Sequence, residues 1–211
     1  MMEGSFSAEV QSFIITLKGK TSHAAEPQQG INPALCMAEL IGAYDKLNVH
    51  DPEESDFAVL TPVHVLMGDV SYGISPGEGA LHYTMRTWST EAMDKLKAEI
   101  TQLMEGHSQK HNLTPEISWL EYFPASENDP ESNSHVKQAA LKNAYNIVDR
   151  PYPFKFGEDF GWYGRRYRSA MFGLGAGLDT APLHSADYDF PDALIATGHA
   201  MFRTVIRGVL K

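Results

Sequence analysis

The chain has a single cysteine, Cys36, so neither an internal disulfide nor a cysteine-rich zinc site is open to it. Its position within an apolar helical pattern marks it as a small buried side chain. Lys/Arg-rich blocks are also missing. The 17 basic and 27 acidic residues leave a formal charge of −10. Nucleic acid and anionic membrane surfaces both require basic patches, so this balance argues against either as a partner and favours small molecules. No apolar run approaches the roughly 20 residues of a membrane span, and the N-terminus lacks a signal-peptide shape. The expected location is the cytoplasm, which makes Asn112-Leu113-Thr114 a chance glycosylation match. Hydrophobic residues make up 43%, enough for one large domain or two small ones.

Over residues 12–18, Phe13, Ile15 and Leu17 alternate with Ser12, Thr16 and Lys18, the period of a half-buried strand. A helix capped by Asn32, with Pro33 in its first turn, follows and fades near Asn48. Residues 57–66 are rich in β formers but contain Pro62, which places an edge strand or bulge there. From 80 to 88, Leu81, Tyr83 and Met85 point inward, and His82, Thr84 and Arg86 share the polar face. Ser89 or Thr90 caps a second helix carrying Met93, Leu96, Ile100 and Leu103, with its end near Gly106. A fourth strand covers 117–122. Residues 10–122 therefore read as an α+β ferredoxin-like βαββαβ domain, an antiparallel sheet with two helices on one face.

Residues 124–133 are polar and turn-rich, a crossing between domains. Beyond them the pattern predicts a helix over 134–147 and a short helix starting around Gly157-Glu158-Asp159-Phe160. An apolar strand is expected over 170–174, then a helix over 191–210 with Leu194, Met201, Val205 and Val209 inward. Residues 123–211 thus form a partial α/β segment, thin for an independent core and in need of strands from elsewhere.

Two loops each carry a histidine: Gly19-Lys20-Thr21-Ser22-His23-Ala24-Ala25 and Pro182-Leu183-His184. With Asn32-Pro33, Ser75-Pro76 leading to Arg86-Thr87, Gly157-Glu158-Asp159-Phe160, Leu174-Gly175-Ala176-Gly177 and Asp189-Phe190, they occur in one order along nearly the whole chain. In that order they resemble the lid domain and C-terminal catalytic segment of the M20 metal-dependent peptidases and amidohydrolases, especially the N-acyl-amino-acid branch.

The resemblance implies a hydrolase of an N-acyl amino acid or small peptide amide that uses a divalent metal (zinc, manganese or cobalt) and forms a homodimer through the lid. It implies His184 as a metal ligand, His23 as a catalytic donor reaching across the dimer to the developing oxyanion or the substrate carboxylate, and Arg86 as a candidate substrate-carboxylate partner. Glu158 and Asp159 would orient the metal site from behind it. Each has a plainer reading. A lone histidine is more often a surface residue, a strand arginine pairs with a carboxylate, and acidic residues before a helix cap it.

The family's other metal ligands and its Glu-Glu general base have no counterpart here. Glu53-Glu54 falls after the first lid helix and reads as solvated surface. Many relatives also have Asn-Val-Ile-Pro where this chain has Gly73-Ile74-Ser75-Pro76. The expectation is therefore an inactive fragment that binds no metal by itself. The alternatives are a non-catalytic dimerisation or binding module, or one part of an enzyme completed by a separate polypeptide. Gly173-Leu174-Gly175-Ala176-Gly177 lacks the following helix of a nucleotide site, and the remaining histidines show no metal-binding spacing.

Overall fold

The computed structural model describes residues 1–210. In chain order its strands and helices are β1 (Gly4–Ser7), β2 (Glu9–Lys18), β3 (Ser22–His23), α1 (Ala34–Asp45), β4 (Ala58–Met67), β5 (Ile74–Ser75) and β6 (Glu78–Thr87). They continue with α2 (Thr90–Lys110), β7 (Thr114–Phe123), β8 (Ser126–Asn128), α3 (Pro130–Lys142), α4 (Gly161–Gly164) and α5 (Ala193–Val209). The chain divides into two compact units. One holds Ser7–Ala125 together with Phe154–Asp159; the other holds Met1–Phe6, Ser126–Pro153 and the residues from Phe160 onward.

In the first unit a four-stranded sheet runs in the order β4-β6-β2-β7, antiparallel throughout. The alternation read from the sequence becomes two faces. Phe13, Ile15, Leu17, Leu81, Tyr83 and Met85 are buried against Cys36, Leu40 and Tyr44 of α1 and Met93, Leu96 and Ile100 of α2. Phe13 stacks on Tyr83 with ring centroids 5.2 Å apart, and Tyr44 meets both rings edge-on. Its buried hydroxyl donates to the Ile100 carbonyl at 3.1 Å, which satisfies a group that would otherwise be costly to bury. β4 is an edge strand whose register shifts between Pro62 and His64, where a residue without an amide hydrogen is tolerated. β7 bulges at Glu121, with φ of 53°, and the Glu121 carboxylate accepts from the Ser12 hydroxyl at 2.8 Å.

Ser89 caps α2 by accepting the Ala92 amide. The helix passes the end expected near Gly106 and runs to Lys110. The reason is tertiary. Its last turn carries His107, Lys110 and His111, and all three contact Glu39 of α1, at 2.9, 2.7 and 3.1 Å.

In the second unit β1 pairs with β8, and α3 packs on α5. α3 begins at Pro130, earlier than the pattern predicts, because Asp129 caps it through the Ser132 amide at 2.9 Å and proline suits the first turn. It ends at Lys142, beyond which Ala144 has φ of 56°, so the expected extension to 147 is not helical. The strand expected over 170–174 is absent: the Met171 amide donates to Asn128 Oδ1 at 2.6 Å and its carbonyl accepts from Asn128 Nδ2 at 2.9 Å, so a side chain of β8 takes the backbone bonds that a strand partner would make. Of the four side chains expected inward on α5, Met201 is buried and Val209 is 56% exposed. No helix among the described residues is long and apolar enough to cross a membrane.

Candidate active site

The first histidine loop is built by close backbone contact. Gly19 donates to the Gly77 carbonyl at 2.7 Å, and Lys20 and Ile31 exchange both backbone bonds. A Cβ at Gly19 would run into the Ile31 carbonyl oxygen, and one at Gly77 into the Thr21 amide nitrogen. Only glycine lets these segments meet. β3 and β5 then pair in a two-residue ribbon, with Ser22 opposite Ser75 and His23 opposite Ile74. Asn32 anchors the ribbon. Its Nδ2 donates to the Ser75 hydroxyl at 3.0 Å while its Oδ1 accepts the Ala34 amide at 2.8 Å.

His23 is exposed, and its Nδ1 accepts the Ala25 amide at 3.1 Å. In the neutral ring this bond fixes the proton on Nε2, making Nε2 a donor. A fixed N–H of this kind suits a developing oxyanion.

Arg86 lies half-buried on the open face of β6, between Val10 and Val59 in register. Among the described residues no Asp or Glu pairs with it. His82 shares that face, and its ring meets His64 edge-on at 5.2 Å. The His23 ribbon adjoins the start of β6 at Glu78, whereas Arg86 is near its end, roughly 25 Å away at the usual rise per strand residue. One protomer therefore does not bring His23 and Arg86 to the same small substrate.

Glu158 is half-buried and Asp159 exposed. Gly157, just before them, is pressed against Val10, leaving no room for a Cβ. Neither acid caps α4, whose N-cap is Phe160 without a side-chain bond. His184 is exposed in a left-handed turn with φ of 69°. An apolar groove of about 720 Å³, lined by Leu174, Leu183, Phe190 and Phe202 among others, lies alongside. No group of three or more His, Cys, Asp or Glu side chains that could hold a metal occurs among the described residues. The residues present therefore do not fit a metal centre by themselves, since such ions need several convergent donors.

Cys36 is buried, and burial pushes its thiol above the usual range. It is not a nucleophile in waiting. The sequence reading missed that Ile74 faces His23 and that Asn32 holds Ser75. Both lie in quoted motifs, but short-range spacing does not reveal which residues pair.

Residues 9–112 match the family model described as "Peptidase dimerisation domain", M20_dimer. The chain carries an M20 peptidase dimerisation domain. An uncharacterized hydrolase of Staphylococcus saprophyticus is 23% identical over 90% of this chain and 50% of its own length. One from Staphylococcus haemolyticus is 25% identical over 79% of this chain and 43% of its own. The chain thus spans about half the length of the curated relatives it matches.

Among solved structures, the Bacillus subtilis YXEP protein, a dinuclear metal binding peptidase from the M20 family, superposes with a TM-score of 0.80. It is 22% identical, and the match covers 99% of this chain and 52% of that one. A Staphylococcus aureus tripeptidase gives 0.77 at 16% identity, over 99% and 53%. These likenesses establish the fold: a mixed α/β chain with antiparallel sheets, as in M20 proteins. In this chain the His23 loop falls inside the matched domain and His184 outside it.

Proposed function

We propose that this chain contributes the lid and part of the catalytic domain of a metal-dependent amidohydrolase that cleaves an N-acyl amino acid or a small peptide. Residues 10–122 are the ferredoxin-like lid, and 123–211 are the C-terminal part of the catalytic α/β domain. The strand order β4-β6-β2-β7 with two helices on one face supports the first assignment. The unsatisfied apolar groove beside His184 supports the second.

The observation that carries the reading is a peptidase dimerisation domain presenting His23 with Nε2 as a fixed donor. His23 donates to the substrate's amide oxygen as charge develops there, and Arg86 of the other subunit binds the substrate carboxylate. The separation of the two residues within one chain is what makes a homodimer necessary. His184 would be one ligand of a zinc, manganese or cobalt ion, with the remaining ligands supplied from outside the described residues; such an ion, when bound, would lower the pKa of a water and polarise the carbonyl.

The dimer forms along β4. Beyond the Val49–Ala58 bridge and the Leu60 amide held by Asn48, that edge has no strand partner in the sheet, and Val63, Val65, Leu66 and Met67 along it are 39–61% exposed. An exposed apolar edge strand is a ready template for a two-fold copy.

The test uses protein purified from its own cell. Stoichiometric zinc, manganese or cobalt and release of free amino acid from N-acetyl amino acids or dipeptides are expected, and both are lost in His184→Ala. Protein without metal and inert toward both substrate classes would end the proposal.

A further inference from the structure

The β3/β5 ribbon has two unlike faces. In a paired ribbon, residues directly opposite each other project to the same side, with Cβ atoms about 5 Å apart. Ser22 and Ser75 share the inner side, where Ser75 is buried and held by Asn32. His23 and Ile74 share the outer side, so an isoleucine stands next to the imidazole.

The turn leading into β5 extends that outer surface. Ile74 donates to the Ser71 carbonyl at 3.2 Å, closing a turn with Tyr72 and Gly73 at its centre. The Gly73 carbonyl accepts the amide of Ala24, the residue immediately after His23, at 3.0 Å. Tyr72 is therefore fixed beside the histidine loop by the backbone, yet its side chain is 96% exposed, and Ile74 is 52% exposed. Gly73 places no side chain between them. An ordered turn that holds a tyrosine in water next to a hydrogen-bond donor has the make-up of a small binding wall, with apolar area and one oriented polar group.

We propose that Tyr72 and Ile74 form the apolar wall beside His23 that selects substrates with a branched aliphatic or aromatic side chain next to the scissile amide. This rests on the reading of His23 as a donor to the substrate. A second copy of the chain is a poorer occupant, because one turn offers little area and the exposed apolar edge of β4 is a separate surface. The ring of Tyr72 and the branched end of Ile74 cover an apolar side chain while His23 Nε2 takes the amide oxygen. A charged side chain in the same place would lose water without gaining a partner.

The experiment compares kcat/KM for N-acetyl-leucine and N-acetyl-aspartate in the protein from its own cell, in Tyr72→Ser and in Tyr72→Phe. The leucine-to-aspartate ratio is expected to fall roughly tenfold in Tyr72→Ser, as for other losses of apolar pocket contact, and to stay high in Tyr72→Phe. Tyr72 is exposed, so neither change disturbs the core.

A parallel titration with N-acetyl-leucine follows the Ile74 Cδ1 methyl and His23 Cε1–H by NMR. Both signals should shift in the parent and shift less in Tyr72→Ser. Hydrolysis with an unchanged ratio would overturn the wall and leave the amidohydrolase standing. Shifts without hydrolysis would support the wall and sink the amidohydrolase. Neither turnover nor shifts would remove both.

Discussion

Two backbone positions carry the candidate site. Gly19 lies where a Cβ would meet the Ile31 carbonyl, so Gly19→Ala forces the histidine loop away from its anchor. A loss of about 1–3 kcal/mol, typical of overpacking, is expected and is read as a lower urea midpoint at unchanged slope. An unchanged midpoint would mean that the close approach is not needed. His184 is the opposite case, a non-glycine residue in the left-handed region with an exposed side chain. Strain of this kind is kept where something requires the side chain. His184→Gly should therefore raise stability by about 1 kcal/mol, since glycine takes that conformation freely. A fall in stability would show that the imidazole itself holds the turn.

The junction of α1 and α2 is electrostatic. Lys110 first, then His111 and His107, hold the Glu39 carboxyl down to about 2 from an ordinary value of 4.5. With a depressed folded pKa, this contribution is fully present above about 4.5 and is lost as pH falls toward 2, because the unfolded chain takes up a proton that the folded one refuses. Glu39→Gln should flatten the stability-versus-pH curve between those limits while leaving other carboxylates to set the rest. Parallel curves for the two proteins in urea titrations would refute the clamp. The same contacts explain why α2 runs beyond Gly106. A glycine weakens a helix locally, but a last turn fastened to a neighbour overrides that preference.

For the molecule as a whole, association is the property most exposed to test. Val65 on the free edge of β4 is 50% exposed, and a lysine there places a charge where two copies would pair. Sedimentation should give twice the 23.4 kDa chain mass for the parent and a single chain mass for Val65→Lys, with the same circular dichroism. A monomeric parent, or a dimeric variant, would move the interface elsewhere.

Much of the first unit was legible from residue order, and the reason is local. A two-residue alternation such as Phe13, Ile15 and Leu17 states which side of a strand is apolar, a Ser89 cap marks where a helix starts, and Pro62 limits a strand to an edge. The second unit was harder to read. Apolar residues 170–174 look like a strand, yet a strand exists only through backbone bonds to another strand, and at Met171 the distant Asn128 side chain takes those bonds instead. The candidate site divides the same way. The motifs located His23 and His184, but the partners that give them meaning arise from long-range contacts: Ile74 across the ribbon, Asn32 beneath it, and the separation from Arg86 along β6. Residue order sets local conformational preference; register and proximity are set by contacts between residues far apart in the chain, and chemistry depends on those.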